Sequence, residues 1–302
     1  MLVLSTSGSL VLSFPVEDEM GRKIAVAVIH GIGKQTADFA EQMSAELSRH
    51  FGPEMAGDVV IRTVFWSPVL QDAEDELVRR MEQGGPLHFP TVRQFLIDFL
   101  ADALAYQPAG DDRRAYDGIH GVFAKTLAEL AEAAGPDAPL CVIAHSLGTI
   151  IASNYLYDLQ IDPFKHLISD EVRALMHDNP LELGHTLALL YTLGSPIALW
   201  SLRYREFGRP IAVPSPRLRQ YHAEIEGEWV NYYDQDDVVG FPLKTLNAQY
   251  GQVVTRDAPV NAGNLLQNWN PLSHLGYWTD RDVVQPIALK LVEVWKAING
   301  FA

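Results

Sequence analysis

The sequence predicts an α/β fold in which a mostly parallel central sheet is flanked by helices. Short apolar runs typical of buried strands alternate with segments in which apolar residues recur at helical spacing. A chain of 302 residues is long enough to bury a large core. Because no linker rich in proline and glycine divides it, we expect a single domain over residues 1–302, with helical insertions.

Five apolar runs have the length and composition of strands. The first covers residues 23–29 and is apolar at every position from Ile24 onward, as expected of a strand buried on both faces. The others are predicted at residues 58–66, from Leu140, at 186–193 and at 228–233. Strands that alternate with helices indicate a parallel sheet covered on both sides.

Helical patterns fill the intervals between these strands. The first helix is marked by Phe39, Met43 and Leu47, and another follows directly on the strand that begins at Leu140. Further helical patterns cover about 70–82, 91–105 and 113–134. The last helix carries Ile287, Leu291, Val294, Trp295 and Ile298 on one face.

Two segments have the character of insertions, at residues 68–110 and 160–185. Either could form a lid or a wall of a substrate site. The alternative for each is a surface helix that packs on the body of the domain.

Composition excludes several classes of partner. A formal net charge of −15 argues against nucleic acid and anionic lipid surfaces, which both require clustered Lys and Arg. No apolar run is long enough to span a bilayer, so we expect no transmembrane segment.

The first 14 residues lack Lys and Arg, which favours two short strands over a signal peptide. Cys141 is the single cysteine, and we expect a cytoplasmic protein.

The most informative stretch is the one that begins at Leu140. An apolar strand passes into Ala144-His145-Ser146-Leu147-Gly148 and continues directly as a helix. Such a strand–turn–helix places one serine hydroxyl on a tight elbow above the sheet edge. A serine that only caps the following helix is the alternative interpretation.

Other chemically capable residues follow the ends of the predicted strands, where ligands collect in open α/β sheets. His30-Gly31-Ile32-Gly33 follows the first strand, and Asp234-Gln235-Asp236-Asp237 follows the strand at 228–233. A late loop contains His274. The order serine, acid, histidine is the order of a nucleophile-elbow enzyme.

These residues resemble those of the α/β-hydrolase superfamily, and of its lipase-like branch in particular. The segment 229–239 is similar to the acid loop of intracellular DDHD-type phospholipases and fungal lipases, and Ser273-His274-Leu275-Gly276-Tyr277-Trp278 is similar to the histidine segment of the former. The resemblance implies an α/β-hydrolase fold and the cleavage of small-molecule acyl esters or lipids, with neither a cofactor nor a metal.

In that family a serine, a histidine and an acid act together. Ser146 needs an imidazole to take its proton. His274 is preferred because His145 adjoins the serine in sequence and His30 lies in the loop expected to hold the oxyanion. The Asp-x-Val pattern of the resembled families falls on Asp237. Asp234 is the alternative acid and Asp236 the third, and a metal site is a rival explanation of this acidic cluster.

The resemblance also implies an oxyanion hole. The N–H of Leu147 is the expected first donor and the N–H of Ile32 the second. Gly31 and Gly33 would let that loop, which also contains His30, approach the substrate closely. Thr192-Leu193-Gly194-Ser195-Pro196 is expected either to shape the floor of the pocket or to form a purely structural turn.

The sequence thus predicts a serine ester hydrolase of lipase or esterase type that forms an acyl-enzyme at Ser146. An acyltransferase or thioesterase would use the same serine. A non-catalytic protein of the same fold is the third hypothesis, and it predicts an incomplete triad or a serine closed off from substrate. The natural substrate, the identity of the lid and the oligomeric state are left open.

Overall fold

The computed structural model describes residues 21–32, 35–83, 85, 101–108, 112–262, 274 and 276–301. Within these residues six strands form one parallel sheet in the order β2-β1-β3-β4-β5-β6. The strands are β1 (Ile24–Ile29), β2 (Val59–Val64), β3 (Leu140–His145), β4 (Leu187–Leu193), β5 (Glu228–Asp234) and β6 (Arg256–Val260). The prediction of an α/β fold with a mostly parallel sheet flanked by helices is confirmed.

The helices of the described residues connect these strands. They are α1 (Glu41–Ser48), α2 (Pro68–Glu82), α3 (Arg114–Ala134), α4 (Leu147–Lys165), α5 (Asp170–Arg173), α6 (Ile197–Trp200), α7 (Ala248–Val253) and α8 (Arg281–Asn299). Short 3-10 helices occur at Pro53–Met55, Ser201–Arg203, Arg205–Phe207 and Leu218–Gln220. Not one of the helices within the described ranges is both long enough and apolar enough to cross a bilayer.

The core lies on both faces of the sheet, because successive side chains of a strand point in opposite directions. Ala25, Ala27 and Ile29 belong to the cluster that packs with α3 and α4. The alternate residues of β1 belong to a second cluster that includes residues of α1 and α8. All six residues of β1 are therefore buried, which explains the uninterrupted apolar run in the sequence.

Three features differ from the sequence-based expectations or extend them. β6 was not predicted, because only Ala258 of its five residues is fully buried and Pro259 interrupts the pattern. α4 continues to Lys165, so the first residues of the expected insertion at 160–185 belong to this helix. Residues 101–105 are helical, whereas the rest of the helix expected from residue 91 and the strands expected before residue 15 lie outside the described residues.

The strand order creates a crevice at one edge of the sheet. From β1 the chain passes to β2 on one side, and then returns to β3 on the other side of β1. The two loops that leave β1 and β3 therefore diverge at their carboxyl ends, where ligands bind in open α/β sheets. His30 and Ser146 are the residues that directly follow Ile29 and His145, the last residues of these two strands.

A buried polar cluster ties α3 and α4 to residues 101–108. The Tyr116 hydroxyl donates to Asp158 Oδ2 at 2.7 Å, and the Tyr106 hydroxyl lies 2.9 Å from His120 Nε2. Asn154 Nδ2 donates to the Tyr106 hydroxyl at 3.2 Å. Burial raises the pKa of Asp158 to about 6 and lowers the pKa of His120 to about 3.

The raised pKa of Asp158 makes a testable contribution to stability. The folded state holds the Asp158 proton more tightly than the unfolded chain, so this stabilisation is full below the ordinary pKa of 3.8 and is lost as pH rises through about 6. We expect the unfolding free energy of wild type, relative to Asp158→Asn, to fall by about 3 kcal/mol over this range. Urea unfolding of both proteins from pH 4 to 7.5 measures the difference, and parallel curves would contradict it.

Candidate functional site

Ser146 occupies a strained position between β3 and α4. Its backbone has φ 52° and ψ −128°, a conformation that costs a residue with a side chain about 1–3 kcal/mol. The Ser146 N–H donates to the Leu193 carbonyl oxygen of β4, and its own carbonyl accepts from the Thr149 N–H, both at 2.9 Å. The hydroxyl makes no capping bond to α4. Helix capping therefore does not explain the serine side chain.

Two glycines let the chain pack tightly around this elbow. A Cβ at Gly148 would lie 2.4 Å from the His30 carbonyl oxygen, so only glycine lets α4 start this close to β1. A Cβ at Gly31 would lie 2.5 Å from Ser146 Cβ. The loop after β1 thus passes directly against the serine side chain.

His274 joins Ser146 to Asp237. Its Nε2 lies 2.7 Å from Ser146 Oγ. Its Nδ1 lies 2.9 Å from Asp237 Oδ2 and 3.0 Å from Oδ1. The exposed fractions of the three residues are 0%, 2% and 4% for Ser146, His274 and Asp237. The structure therefore brings the three predicted residues into one hydrogen-bonded chain that is closed to solvent.

The environment of Asp237 favours a carboxylate. Oδ1 accepts from the Val239 N–H at 2.9 Å, and Oδ2 accepts from the Tyr277 hydroxyl at 2.8 Å. Burial raises the pKa of Asp237, but the hydrogen bonds from His274, Val239 and Tyr277 outweigh it and hold that pKa below its ordinary value. The resulting negative charge faces His274 Nδ1, where it fixes a proton on that nitrogen.

Among the described residues, the hydrogen bonds of His274 Nδ1 to an aspartate go to Asp237 and not to the two other aspartates of the loop. Asp234 is buried and accepts from the Asp236 N–H at 2.7 Å and from the Ala262 N–H at 2.5 Å, so it organises the loop. Asp236 is exposed. Within the described parts of the chain, no three His, Cys, Asp or Glu side chains are grouped to hold a metal ion. Geometry thus distinguishes Asp237 from the alternative acid Asp234.

Tyr277 links the two buried aspartates. Its hydroxyl accepts from the Asp234 N–H and donates to Asp237 Oδ2, each at 2.8 Å. Burial, with the nearby Asp237 charge, raises the pKa of Tyr277 and keeps the hydroxyl protonated. Sequence reasoning assigned Tyr277 no role, since an aromatic residue near a loop histidine has no spacing that reveals such a bridge.

Tyr277→Phe removes this bridge, so the buried Asp234 N–H loses its acceptor, whereas Asp237 Oδ2 loses one hydrogen bond and keeps the one from His274. We expect the unfolding free energy to fall by about 1–3 kcal/mol. The stabilisation from ionised Asp237 is present above its ordinary pKa of 3.8 and is lost as pH falls through its folded-state pKa. Loss of the Tyr277 bond brings that folded-state pKa closer to the ordinary value, so the part of the acid destabilisation that Asp237 causes should be smaller in the variant than in wild type. Urea unfolding between pH 3 and 7 tests both effects.

Tyr155→Phe is the matched control, because the buried Tyr155 hydroxyl has no hydrogen-bond partner within the described residues. Its unfolding free energy should stay within about 0.5 kcal/mol of wild type. Equal losses in the two variants would mean that the bridge contributes nothing specific.

His145 and His30, the two other histidines considered as the base for Ser146, make different contacts. Burial, with a smaller effect of His274, lowers the pKa of His145 to about 3. The neutral His145 donates from Nε2 to the His274 carbonyl oxygen at 2.7 Å, and so helps to fix the backbone of His274. His30 stacks on Trp66 at 4.8 Å, and its Nδ1 lies 2.8 Å from the Gly31 carbonyl oxygen. Burial lowers the pKa of His30 to about 4.

The turn after β4 supports the acid and the histidine. Gly194 has φ 54°, and a Cβ there would lie 2.8 Å from Asp237 Oδ2 and 3.1 Å from His274 Nδ1. Ser195 Oγ lies 2.8 Å from Thr149 Oγ1 in the first turn of α4. This turn therefore lies under the Asp237–His274 pair and also contacts the helix that follows Ser146.

The expected oxyanion donors belong to the two segments that meet at the elbow, the start of α4 and the loop after β1. Leu147 is the first residue of α4, where helix geometry provides no intrahelical acceptor for its N–H. Ile32 is half-buried and follows Gly31, which contacts the serine. Gly33, the remaining residue of the expected loop, lies outside the described residues.

No protein-family model and no curated protein matches this chain. The fold is compatible with an α/β-hydrolase, because its helices flank a parallel sheet.

Proposed function

We propose that this protein is a serine hydrolase of the α/β-hydrolase superfamily that cleaves carboxylic esters of small molecules or lipids. The observation that carries the proposal is the continuous hydrogen-bonded chain from Ser146 Oγ through His274 to Asp237. This arrangement supports the proposal because a triad needs its base at the nucleophile and its acid at the opposite nitrogen of the base. The absence of internal disulfides, given the single Cys141, supports a cytoplasmic location.

Acylation would begin when Ser146 Oγ attacks the ester carbonyl carbon. His274 Nε2 takes the hydroxyl proton as the Oγ–C bond forms, and Asp237 stabilises the imidazolium. When the tetrahedral intermediate collapses, the ester C–O bond breaks. The leaving alcohol takes the proton from His274, which leaves the acyl group on Ser146.

Deacylation repeats these steps with water as the nucleophile. Water attacks the acyl carbon and gives a proton to His274. The Oγ–C bond then breaks, the carboxylic acid leaves, and the proton returns to Ser146. The N–H groups of Leu147 and Ile32 would hold the oxyanion in both halves of the reaction, and loss of one such donor typically costs about 10²–10³-fold in rate.

Burial of Ser146 favours a second candidate, a non-catalytic ligand-binding protein of this fold. Ser146 has an exposed fraction of 0%, so substrate must displace some of its covering atoms before attack can occur. A complete triad supports catalysis, whereas a covered serine supports binding alone. Reactivity of the Ser146 hydroxyl distinguishes the two functions.

A small fluorophosphonate probe tests this reactivity directly. We expect wild type to be labelled at Ser146 and Ser146→Ala to remain unlabelled. Ser195→Ala is the control, since Ser195 is equally buried but contacts Thr149 rather than a histidine, and it should be labelled like wild type. If folded wild type stays unlabelled after long incubation, the hydrolase proposal is wrong.

A further inference from the structure

A cavity of about 920 Å³ lies along α4, the helix that follows Ser146. Ile150, Asn154 and Tyr157 line it at the spacing of one helix face. Residues from the segments 197–209 and 246–250 form the other walls. Ser146 precedes Ile150 by about one helical turn, so the inner end of the cavity is next to the elbow.

The cavity changes character from its inner end to its mouth. Ile150, Ile197 and Tyr250 are buried, so its deep part is apolar. Arg205 and Arg209 line it and are exposed, which places positive charge at the solvent end.

Positive charge exceeds negative charge at the mouth, where two arginines and one glutamate line the cavity. In the part of the chain that the structure describes, neither Arg205 nor Arg209 forms an ion pair, and Glu206 is the one acidic residue among the lining residues. Such a local excess of cations contrasts with a net charge of −15 for the whole chain. An anionic group is the natural partner of such a pair of arginines.

Trp200 adds a second reason to expect a ligand with oxygen atoms. Its ring lines the cavity, and its indole Nε1–H is buried without a hydrogen-bond partner in the described residues. An unpaired buried donor is unfavourable, and an oxygen acceptor on a bound ligand would satisfy it. The Arg203 guanidinium lies over the Trp200 ring, 5.0 Å from its centroid, although Arg203 is not itself a lining residue.

We propose that this cavity binds a single-chain amphiphile with an anionic head, a carboxylate or a phosphate. The apolar chain lies between Ile150 and Ile197, and the head lies at Arg205 and Arg209. The link to catalysis rests on the proposed function. If Ser146 cleaves an ester bound in this cavity, the anionic group of that ester lies at the end remote from the scissile carbonyl.

Binding to full-length Ser146→Ala tests the cavity without turnover. Isothermal titration compares decanoate, decyl phosphate, decyltrimethylammonium and inorganic phosphate below their micelle concentrations. We expect both anionic amphiphiles to bind with 1:1 stoichiometry and more weakly at high salt. Arg205→Gln combined with Arg209→Gln should weaken them about tenfold. The exposed pair Arg217→Gln and Arg219→Gln, outside the cavity lining, should leave binding unchanged.

Several results would overturn the proposal. If decyltrimethylammonium binds as tightly as the anionic amphiphiles, the cavity does not select a negatively charged head group. If inorganic phosphate binds as tightly, the cavity binds the anionic group but not the apolar chain. Binding confined to vesicles of phosphatidylglycerol assigns the arginines to a membrane surface. Binding is measured in Ser146→Ala, so it does not depend on the nucleophile. If amphiphiles bind but wild type is not labelled by the probe, the proposed hydrolase function is wrong and the proposed cavity ligand stands. If wild type is labelled but no amphiphile binds, the proposed cavity ligand is wrong and the hydrolase function stands.

Discussion

Asp237→Asn is expected to lower kcat for ester hydrolysis about 10⁴-fold while the fold persists. Asparagine presents an N–H₂ group where the carboxylate accepts from His274 Nδ1. His274 would then carry its proton on Nε2, the nitrogen that lies 2.7 Å from Ser146 Oγ and must accept the serine proton. Stopped-time assays with a p-nitrophenyl ester that wild type turns over measure the loss, and circular dichroism verifies folding.

The neighbouring aspartates provide matched controls for this prediction. Asp236→Asn alters an exposed side chain and should leave kcat unchanged. Asp234→Asn should reduce stability, because Asp234 accepts two backbone N–H bonds, yet it should retain most of the activity below its melting temperature. A larger loss of kcat in Asp234→Asn than in Asp237→Asn would reassign the acid.

Gly194→Ala is expected to lower kcat about 100-fold although it removes no side chain. The new Cβ would lie 2.8 Å from Asp237 Oδ2 and from Tyr277 Cε2, so the acid or the aromatic ring must move. A displacement of about 1 Å within a catalytic arrangement is enough for a loss of this size. The same probe and ester assays measure it, together with the unfolding free energy.

Gly300→Ala isolates the backbone contribution to this effect. Gly300 has φ 73°, close to the left-handed conformation of Gly194, but a Cβ there would meet no atom within 4 Å. Both variants should lose about 1 kcal/mol of stability from backbone strain. Only Gly194→Ala should lose activity, and comparable kcat values would show that Gly194 does not position the pair.

The sequence allowed much of the fold to be predicted, because β1, β3, β4 and most of β5 are buried on both faces. β1 and β3 have no exposed residue, so β1 is an unbroken apolar run and β3 is apolar up to its last residue, His145. β6 lies at the edge of the sheet and buries one residue of five, so it left no such run. Burial on both faces is what makes a short strand visible in a single sequence.

Candidate site residues were predictable where backbone geometry restricts residue type. The tight elbow requires small neighbours such as Gly148, and this spacing is visible in the sequence. Tyr277 and His145 were missed because their roles depend on tertiary hydrogen bonds to Asp237 and to the His274 carbonyl. The choice between Asp234 and Asp237 likewise needed the geometry of the loop.

The strand order has a consequence for how activity would emerge during folding. Ser146, Asp237 and His274 follow strands that pair only with partners distant in the chain, so no local segment contains a working site. Parallel pairing of this kind forms late, after long loops have closed. Partly folded chains should therefore not react with the fluorophosphonate probe. The recovery of labelling during refolding would measure the fraction of fully folded molecules, and compact intermediates would not contribute to it.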